Sequence, residues 1–191
     1  MNPKELCRST PADWTTEPAA RLKRKNQVLF AKDSPFLYGL DALLQGADHR
    51  AAVLWALELA EQSVSALEKA YPEETRPRQA LLAARDWSAG YLKMPLAQRM
   101  ILDCHGFAKE LTSKENIALC HAVGQACAVV HTAGHALGYP MYELSAMIYR
   151  MGIPDCWDAL EQRRKTYIDR LQFWNTHWQE AKQPWASFLE K

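Results

Sequence analysis

The stretch that decides the fold runs from Ile117 to Leu137 and reads IALCHAVGQACAVVHTAGHAL. It contains no charged residue, but it carries three histidines, His121, His131 and His135. At about 100° per residue, His135 would project roughly 40° from each of the other two, so one helix edge would hold all three imidazoles. A helix that is apolar nearly all round is a buried helix. The stretch therefore predicts a central buried helix that carries a seam of histidines.

The remaining sequence predicts an all-α, single-domain bundle of several helices around this central helix, which we place at about 115–137. Helix caps and prolines recur along the chain, whereas alternating strand patterns and hairpin turns are not found. We expect a polar, partly helical lead-in over residues 1–34 and a helical core domain over 35–152. Residues 153–191 then predict an amphipathic C-terminal helix that packs on the core through an aromatic face. The residues of that face are Trp157, Leu160, Tyr167, Leu171, Trp174 and Trp178.

Charge and cysteine usage exclude several classes of protein. The chain of 191 residues has 23 basic and 22 acidic residues, a formal net charge of +1, so no global field recruits nucleic acid or an anionic membrane. The start of the chain does not resemble a signal peptide, and no window reads as a membrane span. The five cysteines form no CxxC pair, which favours a reducing compartment. We therefore expect a cytoplasmic protein with no nucleic-acid or membrane partner.

Two of the histidines have a spacing that suits a metal ion. His131 and His135 stand four residues apart, the spacing at which one helix offers two imidazoles to a metal. However, the stretch has no Glu between them, as zinc proteases require, and no carboxylate to bridge two irons. We therefore expect no cofactor, and a transition metal at His131 and His135 is the alternative.

Cysteine next to histidine is a second chemical pattern. Cys104-His105 and Cys120-His121 are adjacent in sequence. Neighbours on a helix point about 100° apart, so neither dipeptide can form a direct thiol–imidazole pair. The pattern therefore does not predict nucleophilic catalysis.

Arg78 and Arg85 lie seven residues apart on a predicted helix whose other positions are largely apolar. A guanidinium beside a core needs carboxylate or carbonyl partners, because an unpaired buried charge is costly. An anion-binding pocket is the alternative to such structural pairing. The carboxylates available as partners are Glu58, Glu61, Glu73 and Glu74.

The chain resembles a bacterial family of immunity proteins, the immunity-five-like family, over about residues 48–150. The resemblance is carried by YPEETRPRQA at 71–80, by AARDW at 83–87, and by His121 with the HTAGHA run at 131–136. It implies an all-helical protein that neutralises a toxin of a competing bacterium. It carries over no catalytic residue.

Three functional hypotheses follow. The third is that the chain is a housekeeping domain of the same fold and has no toxin partner. In the first, the chain is a non-catalytic binding protein with a cognate toxin as its partner, and its aromatic C-terminal helix could also meet a second copy of the chain. In the second, it binds a metal or a small ligand, with an enzyme among the options, through His121, His131 and His135. Arg78 and Arg85 are further candidates for ligand binding.

Overall fold

The fold consists of α-helices joined by turns and loops. The structure is a computed structural model that describes residues 14–190, and over this range it has eight α-helices and no β-strand. The predicted all-α, multi-helix fold is confirmed. Residues 1–13 of the predicted lead-in, with Cys7, and Lys191 lie outside the described residues. The helices are α1 Thr16–Lys23, α2 Tyr38–Gln45, α3 His49–Ala70, α4 Arg76–Ser88, α5 Met94–Ala108, α6 Lys114–Ala128, α7 Gly138–Met151 and α8 Trp157–His177.

Polar caps and prolines set the starts of the central helices. At the start of α3, the Asp48 carboxylate accepts a hydrogen bond from Arg50 N at 2.8 Å. At the start of α6, Ser113 Oγ accepts one from Asn116 N at 3.3 Å. Helices α4 and α5 each have a proline in the first turn, where no partner for its missing N–H is needed.

Helix α6 lies at the centre of the bundle. It packs against α3, α4, α5 and α7. Its buried positions are mostly small, and small side chains let neighbouring helices approach closely. Those small buried residues are Ala118, Cys120, Ala122, Gly124, Ala126 and Cys127.

The predicted central helix over about 115–137 is wrong beyond Ala128, where α6 ends. Thr132 adopts an extended conformation, with φ −153° and ψ 133°, and its Oγ1 accepts a hydrogen bond from Gly134 N at 3.4 Å. A threonine side chain that bonds to nearby backbone competes with the helix, and a 3-10 turn over Ala133–His135 follows instead. The Val129 carbonyl, freed at the helix end, accepts a hydrogen bond from His49 Nε2 at 2.6 Å.

Helix α8 lies against α3 and α2. Trp55 Nε1 on α3 donates to the backbone carbonyl of Tyr167 at 2.9 Å, and both side chains are fully buried. Glu58 on α3 accepts hydrogen bonds from Arg170 Nε at 2.7 Å and from Trp174 Nε1 at 2.5 Å. Aromatic burial and charge-assisted hydrogen bonds therefore hold α8 on the bundle.

After α8 the chain turns back over the end of α4. Ala186 N donates to the Ser88 carbonyl at 2.8 Å, and Phe188 lies with its ring centroid 5.9 Å from that of Trp87. Gly90 has φ 81° and faces the Ala186 backbone at this crossing. Of the helices between residues 14 and 190, none is both long and apolar enough to cross a lipid bilayer.

Candidate functional site

A cavity of about 290 Å³ opens where α4 and α5 meet the turn that follows α6. Three imidazoles line it together with apolar and aromatic side chains, and no lining residue is an acid, a lysine or an arginine. We name it the histidine cavity. Its lining residues are Trp87, Met94, Gln98, Ile101, Leu102, His105, Ala128, His131 and His135.

One face of α5 supplies most of the cavity wall. Gln98, Ile101, Leu102 and His105 stand at helical spacings of three and four, so they share that face. The Leu102 side chain is 59% exposed at the rim, whereas Ile101 is buried. This wall therefore extends from the buried core at Ile101 to the exposed surface at Leu102.

His105 and His121 form an imidazole pair between α5 and α6. Their Nδ1 atoms lie 2.9 Å apart, so one ring donates a hydrogen bond to the other. Gly124 makes room for the pair, because a Cβ there would lie 2.3 Å from His105 Nε2. Burial lowers the pKa of His105 to about 4, with smaller contributions from His121 and His135, and burial also lowers the pKa of His121. The pair is therefore uncharged at neutral pH.

His135 is oriented by Gln125 on α6. The His135 Nδ1 atom lies 3.1 Å from Gln125 Oε1, and because a carbonyl oxygen only accepts, Nδ1 carries the proton. Nε2 is then left as a hydrogen-bond acceptor. Burial lowers the pKa of His135, and the neighbouring His131 and Lys32 lower it further.

His131 lies in the turn after α6 and is exposed. Its ring stacks beside the buried Trp87 indole, with centroids 6.2 Å apart and planes 20° apart. The stacked pair forms an aromatic wall of the histidine cavity.

The predicted seam of three histidines on one helix is wrong, because α6 ends before His131. His131 and His135 still reach the same cavity, but His121 is turned away and packs between His105 and Tyr142. The i, i+4 pairing of His131 and His135 on a helix is lost with the helix itself. Within residues 14–190, no group of three or more His, Cys, Asp or Glu side chains has an arrangement that could hold a metal ion.

A family model matches residues 42–172, with the description "Imm-5 like putative immunity protein". This span is more than half of the chain. The chain belongs to this immunity-protein family. No curated protein and no solved structure matches it.

The immunity-family domain is longer than the resemblance over about 48–150 indicated. The domain includes α8 as far as Gln172, whereas the resemblance stopped at about residue 150 and did not include α8. Every residue that lines the histidine cavity lies within the domain, whereas the returning segment around Phe188 lies beyond it.

Sequence reasoning missed Gln98, Ile101 and Leu102 of α5, and it considered His105 only as the neighbour of Cys104 and not as part of this face. The signal was present, because positions 98, 101, 102 and 105 share one helical face. What the sequence could not provide was the neighbour of that face, since α5 meets the turn after α6 only in the folded chain.

Arg78 and Arg85 pair with carboxylates on α3. Arg78 bonds to Glu61, and to Glu68 through Nε at 2.8 Å, while Arg85 Nη2 bonds to Glu61 Oε2 at 2.8 Å. Glu61 was among the predicted partners and Glu68 was not, while Glu58 binds Arg170 instead. These ion pairs account for two arginines beside the core, and neither residue lines the histidine cavity.

A second polar cluster surrounds the buried carboxylate of Glu143. It accepts hydrogen bonds from Tyr139 at 2.8 Å and from Arg163 Nη2 at 2.7 Å, and also from Tyr167. Burial raises the pKa of both tyrosines well above the usual value, and the Glu143 charge adds to this. Because both carboxylate oxygens are fully engaged, the cluster joins α7 to α8 and leaves little capacity for a ligand.

Proposed function

We propose that the protein is a non-catalytic immunity protein that binds a bacterial toxin one-to-one in the cytoplasm and so blocks its action. Membership of the immunity family over residues 42–172 is the observation that carries this proposal. Such a protein needs a binding surface and no catalytic set, because occlusion by a tight complex is sufficient.

The surface around the histidine cavity supports a binding role. Met94 is 44% exposed, Leu102 59% and Phe188 41%, and they stand beside the aromatic wall of Trp87 and His131. Interface cores are rich in aromatic residues and methionine and poor in charge. The formal net charge of +1 gives no acidic field to attract a basic nuclease, so we expect shape and apolar contact to dominate toxin binding.

The proposal predicts a toxin gene next to the gene for this protein, and co-expression with that toxin tests it. We expect restored growth and a 1:1 complex on size-exclusion chromatography, and a toxin from an unrelated system serves as the control. Protection should require at least one equivalent of the protein. Protection at a small fraction of an equivalent would indicate an enzyme, and failure to bind or protect would overturn the proposed function.

A second candidate function is binding of a small ligand or a metal. The three imidazoles that line one cavity favour the small ligand, because no three such side chains among residues 14–190 are arranged to hold a metal ion. Elemental analysis of untagged protein tests the metal form. Less than about a tenth of an equivalent of any transition metal, with melting unchanged by a chelator, would remove it.

A further inference from the structure

We propose that the histidine cavity receives a neutral aromatic ring that carries a hydrogen-bond donor, and that this ring is a tyrosine side chain of the toxin. The proposal rests on the proposed function and names the kind of anchor that the toxin uses. It follows from the size, walls, polarity and openness of the cavity.

The size of the cavity suits one aromatic side chain. An apolar cavity of about 150 Å³ is large enough to bind benzene. The histidine cavity, at about 290 Å³, can hold a phenol ring with its attached methylene group.

The walls of the cavity suit a planar ring. The stacked Trp87 indole and His131 imidazole line the cavity with aromatic surface, and Ile101 and Ala128 add apolar surface. Aromatic rings gain energy from stacked or edge-on contacts. The Met94 thioether at the rim adds a favourable sulfur–aromatic contact.

The polarity of the cavity selects a neutral ring with a donor. None of its nine lining residues is an acid, a lysine or an arginine, so a charged group that entered would lose water without finding a counter-charge. His135 Nε2 is an acceptor, because Gln125 holds the ring proton at Nδ1. A phenol hydroxyl supplies the matching donor, which a phenylalanine ring lacks.

The open rim indicates that the ring belongs to a protein. Small-molecule sites bury most of the ligand's surface, but here Met94 and Leu102 stand at the rim, 44% and 59% exposed. A second hollow of about 510 Å³ shares Trp87 and Met94 and continues the surface toward Phe188. A toxin segment can lie along this surface while its tyrosine fills the cavity.

Titration with phenol, followed by amide and indole NMR signals, tests the cavity itself. We expect a dissociation constant on the order of 1 mM, with shifts centred on Trp87 and Ala128. Ala128→Leu, which fills the cavity, should weaken phenol binding at least tenfold. Ala66→Leu, which points the same substitution into a separate cavity of about 190 Å³, should leave it unchanged. Equal binding to both variants would overturn the proposal.

Comparison of phenol with toluene, which has the same size but no donor, tests the role of His135. His135→Phe keeps a ring at this position and removes the acceptor. It should weaken phenol binding about tenfold and leave toluene binding unchanged. An equal loss for both ligands, or no loss for either, would overturn the assigned hydrogen bond.

Toxin binding by rim variants tests the source of the ring. Leu102→Asp places a charge on an exposed rim position and should weaken binding of the neighbouring gene's toxin at least tenfold. Leu82→Asp is the matched control, because Leu82 is 47% exposed on α4 and does not line the cavity. If wild type and Leu102→Asp bind the toxin equally, the anchor site is wrong while the proposed function stands. If wild type binds phenol but no toxin, both the toxin as source and the proposed function are overturned.

Discussion

At the scale of single residues, Gly124 and His105 show how one missing side chain shapes the candidate site. The His105 imidazole occupies the space that a Cβ on Gly124 would need. This close approach lets His105 reach His121 across the α5–α6 contact. Glycine therefore stands in the middle of a buried helix for a steric reason, although it lowers helix propensity.

Gly124→Ala should destabilise the protein by about 1–3 kcal/mol, because the new methyl group must displace the His105 ring. Gly106→Ala on α5 is the control, since a Cβ there meets nothing within 4 Å. The control should gain up to about 1 kcal/mol from helix propensity. Urea unfolding of both variants checks the difference. Equal or greater stability of Gly124→Ala would show that His105 moves aside without cost.

The histidines should also make stability depend on pH. The pKa of His105 falls from the ordinary 6.5 to about 4 on folding, and the pKa values of His121 and His135 are lowered as well. Between about pH 6.5 and 4 the unfolded chain binds protons that the folded chain does not. The contribution of the neutral histidines to the free energy of unfolding is thus fully present above pH 6.5 and is lost as the pH falls through this range.

Urea unfolding at pH 7.5 and pH 5 measures this loss. His105→Phe keeps a ring against Gly124 but cannot ionise, so its free energy of unfolding should fall less between the two pH values. His131 and Lys32, which lower the pKa of His135, are present in both wild type and variant. An identical pH dependence for variant and wild type would contradict the assignment to His105.

At the scale of elements, the end of helix α6 is set by two hydrogen bonds that compete with continuation of the helix. Only one of them lies within the local sequence. Thr132 and Gly134 offer an alternative local hydrogen bond, and His49 from α3 satisfies the Val129 carbonyl at the helix end. The apolar pattern of the stretch continues to Leu137, so hydrophobic periodicity alone extends the helix too far. The turn that results brings His131 and His135 to the cavity.

Helix α8 should depend on Trp174 for its attachment. Trp174→Ala should cost about 2–3 kcal/mol, because it removes apolar contact and the hydrogen bond to Glu58. Phe173→Ala is the adjacent control, since Phe173 is 37% exposed, and it should cost less than about 1 kcal/mol. Thermal unfolding compares the two. Equal costs would mean that α8 is not held through its Trp174 face.

At the scale of the whole molecule, one buried carboxylate ties three helices together. Glu143 on α7 is 7% exposed, and it bonds to Ser63 on α3 and to Arg163 and Tyr167 on α8. Among the charged residues between 14 and 190, Arg164 is the other one buried to this degree. The cluster therefore links α3, α7 and α8 within the immunity-family domain.

Glu143→Ala should destabilise the protein by about 3–5 kcal/mol, because it leaves the Arg163 guanidinium buried without its partner. Replacing Arg163 by methionine in the same chain should recover part of the loss. Glu110→Ala, which breaks an exposed pair with Arg76, should cause no measurable change. Chemical unfolding of the three variants measures these differences in stability. A loss for Glu143→Ala no larger than that for Glu110→Ala would show that the Glu143 cluster does not stabilise the fold.

Sequence reasoning recovered most of the fold because its signals are local. The Asp48 cap, the Ser113 cap and the prolines of α4 and α5 act within one helical turn, so they can be recognised without the tertiary structure. The small, uncharged residues of α6 likewise identified the central helix. Carboxylate partners for Arg78 were foreseen in part, because a guanidinium beside a core needs them.

By itself, the sequence determined that the fold is all-α, that a buried central helix begins at about residue 115, and that the chain resembles the immunity family. Only the tertiary structure decided where α6 stops and which histidines meet. His49 and Val129 are 80 residues apart, and His105 reaches His121 from another helix. Such contacts depend on how helices pack, and packing overrides local propensity wherever a helix end or a cavity wall is shared between distant segments.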